Sequence, residues 1–122
     1  MTNESRDLVV VVTHGIDHEL SSAALTIALG GITAGLKVSL FLTSAGVDLV
    51  RRGAADTTHV KPLEPLGDMF KDFLGRGGVI WACPPCVKSR GYAQESLIDG
   101  VVIAGAAQMH ALIKAGAATL SF

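Results

Sequence analysis

The sequence GVIWACPPCVKSRG, residues 78–91, decides how this chain folds. It runs a short apolar pattern directly into the two cysteines of the molecule. Val79, Ile80 and Trp81 are β-branched or aromatic and follow Gly77 and Gly78, the signature of a strand entered from a turn and buried on both faces. Pro84 and Pro85 fix φ and lack N–H groups, so they disfavour a continued strand and suit the first turn of a helix. The chain therefore leaves the sheet at Cys83. A residue at the carboxyl end of a strand and the amino end of a helix lies where open α/β sheets place their sites. A thiol there is expected to meet backbone N–H groups and the positive end of a helix dipole, both of which favour the thiolate. Cys83 is accordingly the candidate nucleophile.

Working outward, strands and helices alternate. Residues 8–12 and 38–42 are continuous apolar runs, as expected of central parallel strands. Between them, polar residues 17–22 can cap a helix whose apolar residues include Ala23, Leu25, Ile27 and Leu29, ending in the glycine-rich region 30–35. Thr43 and Ser44 can cap a short helix to Val50, with Arg51 and Arg52 in its last turn and Gly53 as its stop. Residues 54–67, with Pro62 and Pro65, read as an irregular connection. Asp68 then caps a helix whose Met69, Phe70, Phe73 and Leu74 share one apolar face. After the cysteines, 87–97 reads as broken helix, 101–103 as a short strand, 106–115 as a helix and 119–122 as a closing strand. This alternation predicts an α/β fold: three layers, α/β/α, around a five-stranded, mostly parallel sheet.

Composition bounds the function. The 122 residues are expected to form one domain, 1–122. A net charge of −1 without a Lys/Arg run argues against nucleic acid or an anionic membrane as partner. The amino end leads into an apolar run of five residues, shorter than the roughly 7–15 of a signal peptide. The uncharged stretch 20–36 falls short of the roughly 20 apolar residues of a membrane span. A cytoplasmic protein is expected, and in a reducing compartment a close cysteine pair is more often reactive or metal-bound than structural. The apolar first helix exceeds what one sheet face can cover, which predicts an oligomer.

The order of these features resembles the DsrE/DsrF-like family of small sulfur-relay proteins, in its TusD-like branch, over nearly the whole chain. In TusD-like members a hydrophobic strand ends in a cysteine and a basic residue followed by glycine comes a short helical stretch later. Cys83 and Arg90-Gly91 match both residue types and separation. The opening strand ending near Thr13-His14-Gly15, the uncharged first helix and the tail 103–122 also look like the family. The resemblance implies a DsrEFH-like fold, a homo- or hetero-oligomer, often a trimer or hexamer, and Cys83 as the persulfide-carrying cysteine. It implies sulfur-donor and sulfur-acceptor proteins as partners and no cofactor. Cys86 departs from TusD and raises dithiol chemistry.

Sulfur transfer needs a thiolate that attacks a sulfane sulfur, holds it as a persulfide or thiosulfonate, and releases it to another thiol. Cys83 is the expected acceptor, with Cys86 as a candidate resolving thiol that expels hydrosulfide and leaves a disulfide. Lys88 and Arg90 are candidates to add positive charge nearby, against the plainer reading as solvated surface charges. His14 ends the first strand on the same sheet edge, where it can assist proton transfer or serve as a polar turn residue. Two alternatives compete. One is a dithiol–disulfide oxidoreductase using Cys83 and Cys86. The other is a zinc-binding interaction module using both cysteines with His14 and His18, although the second ligand pair at fixed spacing is missing. No metal site is expected.

Overall fold

The computed structural model describes residues 7–122, so the reading of the first six residues as a mixed-charge lead-in lies outside the described residues. Five strands form one sheet: β1 (Asp7–Val12), β2 (Lys37–Leu42), β3 (Val79–Ala82), β4 (Val101–Ile103) and β5 (Ala118–Ser121). Their order is β4-β3-β2-β1-β5, and every neighbouring pair is parallel. The expected α/β fold with a five-stranded sheet is therefore present, and the sheet is parallel throughout.

Four α-helices join the strands: α1 (Glu19–Thr33), α2 (Leu66–Gly75), α3 (Pro84–Ser89) and α4 (Ala106–Lys114). The handedness of parallel crossovers decides where they lie. From β1 to β4 the chain steps in one direction across the sheet, and α1 and α2 cover one face. The last connection, from β4 to β5, runs back past β1, so a right-handed crossover places α4 on the opposite face. Accordingly, α1 packs on β1 and β2 and against α2, whereas α4 packs on β1.

The first face holds the dense core. Leu8, Val10, Val12, Leu40, Leu42, Ile80 and Ala82 meet Leu25 and Ala28 of α1 and Leu66, Met69, Phe70 and Phe73 of α2, all in one buried cluster. The 66/69/70/73 spacing turns one side of α2 inward, and each fully buried side chain of this size stabilises by about 1.5–3 kcal/mol. Gly78 is the point of closest fit: a Cβ there would lie 2.4 Å from the Phe73 ring. That glycine lets the chain enter β3 beneath the helix. The second face is more thinly covered, with Val79 40% and Val102 51% exposed.

Several local expectations shift. α2 begins at Leu66 with Pro65 as N-cap, so Asp68 sits inside the first turn, where its charge still suits the helix dipole. Ser44–Val50 is a 3-10 helix ending in an extended Arg51, which pairs with Leu97 in an isolated antiparallel bridge. Arg51 and Arg52 therefore lie beyond that helix, and Arg52 forms an ion pair with Asp99 at 2.7 Å. The segment 87–97 is not one broken helix. α3 starts at Pro84, stops at Ser89 before Gly91 with φ +70, and a separate 3-10 turn covers Gln94–Ser96. The apolar excess of α1 is largely absorbed by α2, leaving Leu20 and Ile27 as its exposed large hydrophobics.

Candidate functional site at the carboxyl edge of the sheet

Register builds the site. Val12, Leu42, Ala82 and Ile103 are Cα partners across four adjacent strands. The next residues, Thr13, Thr43, Cys83 and Ala104, therefore stand in one row along the carboxyl edge. Backbone bonds extend the ladder there: Thr43 N–H donates to Val12 O at 3.1 Å, Cys83 N–H to Leu42 O at 2.9 Å, and Ala104 N–H to Ala82 O at 3.2 Å. The loop after β2 is thus laid beside the first turn of α3.

Cys83 is the N-cap of α3 and Cys86 lies one turn in; both are free thiols, half-buried. The donors expected at Cys83 converge instead on Cys86. Ser44 N–H donates to Cys86 Sγ at 3.2 Å, and Thr43 Oγ1 lies 3.6 Å from it. The sequence explains this outcome. An N-cap side chain is normally met by the N–H groups at the second or third helical position, but Pro84 and Pro85 strip the first two positions of donors. Cys83 has no cap bond from its helix.

Burial alone would push the Cys86 thiol up. Hydrogen bonds from the Cys83 thiol, the Thr43 hydroxyl and the Ser44 N–H, together with the Arg90 charge, outweigh burial and hold Cys86 below the ordinary thiol value. Ser44 has φ +54, the one non-glycine positive φ among the described residues. Holding a serine there costs on the order of 1–2 kcal/mol. Gly46 makes the loop's descent possible, because a Cβ there would lie 2.3 Å from Val12 O.

Arg90 extends from the end of α3 back over the site. Its Nη1 donates to Cys86 O at 3.2 Å, and its Nε pairs with Asp48 Oδ1 at 3.1 Å. The same Asp48 oxygen accepts from the Tyr92 hydroxyl at 2.7 Å. That hydrogen bond, with burial and the Asp48 charge added, holds the Tyr92 phenol above its usual value. Lys88 is exposed in the last turn of α3.

His14 shares the edge with the cysteines but stands at the end of β1, two strands and roughly 10 Å from β3. It stacks on His18 with ring centroids 3.9 Å apart and 35° between planes. Ser21 Oγ pins this loop through the carbonyls of His14 at 2.9 Å and Gly15 at 2.6 Å. His18 caps α1, its Nδ1 accepting from Leu20 N–H at 3.1 Å. Both histidines, with Arg51, Asp48 and Tyr92, line a cavity of about 590 Å³. Asp48 and Tyr92 thus line the histidine cavity and also hold Arg90 beside Cys86. Among the described residues no group of three or more His, Cys, Asp or Glu side chains is placed to hold a metal ion.

Sequence reasoning singled out Cys83, Cys86 and Arg90 but assigned no role in the site to Ser44, Asp48 or Tyr92. The row of strand ends was the available signal, since any parallel neighbour of β3 must place its own loop beside Cys83.

A dithiol at the carboxyl rim of a wholly parallel sheet, with the donors of a neighbouring loop on one sulfur, defines a class: a small α/β protein equipped for thiol chemistry. Residues 6–122 match the DsrE/DsrF-like family, and the chain belongs to it. It is 32% identical over 114 residues to an uncharacterised protein of Methanopyrus kandleri, covering 92% of this chain and 88% of that one. An uncharacterised protein of Methanocaldococcus jannaschii is 30% identical over 105 residues, 86% of each chain. In fold it is similar to the YchN protein of E. coli, with a TM-score of 0.77 at 22% identity over 98% of this chain and 100% of that one. A protein of unknown function from Methanobacterium thermoautotrophicum gives 0.72 at 18% identity, with the same coverage. No helix among the described residues is long and apolar enough to cross a membrane.

Proposed function

We propose that this protein is a sulfur carrier of the relay type. It accepts a sulfane sulfur, as a persulfide or thiosulfonate, at the Cys83–Cys86 pair and passes it from Cys83 to a partner thiol. The observation that carries this reading is the hydrogen-bonded, thiolate-favouring Cys86 beside a second free thiol on an accessible sheet edge, in a chain of the DsrE/DsrF-like family. Both cysteines are free and only partly buried, which suits transfer between proteins. The carrier is loaded and unloaded rather than turning over a substrate alone. Its partners are a sulfur-donor and a sulfur-acceptor protein, its setting is the cytoplasm, and it works as a homo-oligomer, a trimer or hexamer.

Intact-mass measurement after incubation with thiosulfate or tetrathionate tests the reading. The expected result is an adduct of one sulfur, about 32 mass units, or of a thiosulfonate, removed by dithiothreitol and absent when both cysteines are serine. Reduction of insulin disulfides with no adduct under any donor would replace the carrier by a dithiol oxidoreductase.

A further inference from the structure

The two sulfurs of the pair are not equivalent, and the difference points to an order of events. Cys86 receives the Ser44 N–H at 3.2 Å and lies 3.6 Å from the Thr43 hydroxyl. The loop that supplies them is held by the Thr43 N–H bond to Val12 O, by Gly46 seated on the same carbonyl, and by a positive φ at Ser44. An unfavourable backbone conformation kept at one residue, with its N–H aimed at a sulfur, fits a site built to hold charge. Cys83 has no cap bond from its own helix, whose first two positions are prolines. We infer that sulfur enters this pair at Cys86 and reaches Cys83 second; this rests on the carrier reading above.

In the first step the Cys86 thiolate attacks the outer sulfur of a donor persulfide, R–S–SH. A bond forms between Cys86 Sγ and that sulfur as the R–S bond to it breaks. R–S⁻ leaves and takes a proton from solvent. In the second step Cys83 gives up its proton to solvent and attacks the outer sulfur of the Cys86 persulfide, and Cys86 departs as thiolate. No electrons are gained or lost overall: a neutral sulfur atom moves from donor to Cys86 to Cys83. The same donors serve both steps. A thiolate stabilised by an N–H and a hydroxyl forms more readily than an unassisted one, and as a better-stabilised anion it also leaves faster. The charged and titratable groups around Cys86 are Cys83 on the same turn, Lys88 and Arg90 further along, and Asp48 and Tyr92 linked to it through Arg90.

The test is single-turnover loading at pH 7 from glutathione persulfide, followed by intact mass and peptide mapping, on the native chain, Cys83→Ser and Cys86→Ser. The expected result is that Cys83→Ser still takes up one sulfur, trapped on Cys86, while Cys86→Ser loads at least about tenfold more slowly than the native chain. Loading of Cys86→Ser at the native rate, with none in Cys83→Ser, overturns the order while the carrier reading stands. Absence of uptake by every form, native included, sinks the carrier reading and the order with it. A second measurement needs no variant: limiting iodoacetamide at pH 7 on the reduced native protein labels Cys86 first. Labelling of Cys83 first contradicts the assignment.

Discussion

Replacing Gly46 by alanine probes the loop that dresses Cys86. The added Cβ would stand 2.3 Å from Val12 O and 3.0 Å from Val12 C, about 1 Å short of ordinary contact. Neither neighbour is a flexible side-chain end. Val12 is the last residue of β1, and its carbonyl already accepts the Thr43 N–H at 3.1 Å. Relief must come from moving residues 43–46 off the strand, which strains the loop and weakens that bond. Overpacking of this kind costs about 1–3 kcal/mol. Loss of the backbone bond adds about 0.5–1.5 kcal/mol, so the sum is about 1.5–4.5 kcal/mol. For a chain of this length that is a fall in Tm of about 6–18 °C, measurable by circular dichroism. Because Ser44 rides on the displaced segment, the Cys86 thiol should titrate at higher pH in the same variant, read from thiolate absorbance across a pH series. A Tm within about 2 °C of the native protein, the scale of an ordinary surface change, would refute the claim that this glycine seats the loop.

Gly30 and Gly31 give opposed expectations inside α1. Alanine at Gly30 meets open space and should stabilise by about 0.5–1 kcal/mol, whereas at Gly31 it meets Val38 Cγ2 at 3.0 Å and Leu8 Cδ2 at 3.1 Å and should gain less or lose; urea titration giving the reverse ranking contradicts the packing. Sedimentation at micromolar concentration is expected to show a trimer or hexamer, with Val102→Asp on the thinly covered sheet face dissociating it. A native protein that sediments as a monomer refutes the oligomer.

How far the fold could be read from sequence depended on burial. Val9, Val10 and Val12 in β1 and Leu40 and Leu42 in β2 are shut in on both sides, and such strands advertise themselves as unbroken apolar runs. Edge strand β5 is exposed along its length, yet residues 119–122 still read as a closing strand. Boundaries failed where a side chain had two plausible duties. Asp68 resembles a cap but contributes charge one turn later, and Arg51 resembles a helix end but continues into a bridge with Leu97. Pro84 starts α3 as its fixed φ near −65° and missing N–H led one to expect, but the helix stops at Ser89 and does not run on towards residue 97. At the site, Cys83, Cys86 and Arg90 were legible as side chains with chemistry. The decisive donor was not, since an amide N–H belongs to every residue but proline and only the register of β2 against β3 brings that of Ser44 to a sulfur.

The two prolines between the cysteines carry a last implication. In many paired-thiol motifs the intervening residues set the acidity, because their amides surround the leading sulfur. Here the two intervening amides carry no N–H, and control has passed to a segment some forty positions earlier in the chain. Tuning the chemistry therefore means editing residues 43–46, a turn that can change its sequence while the motif itself stays untouched.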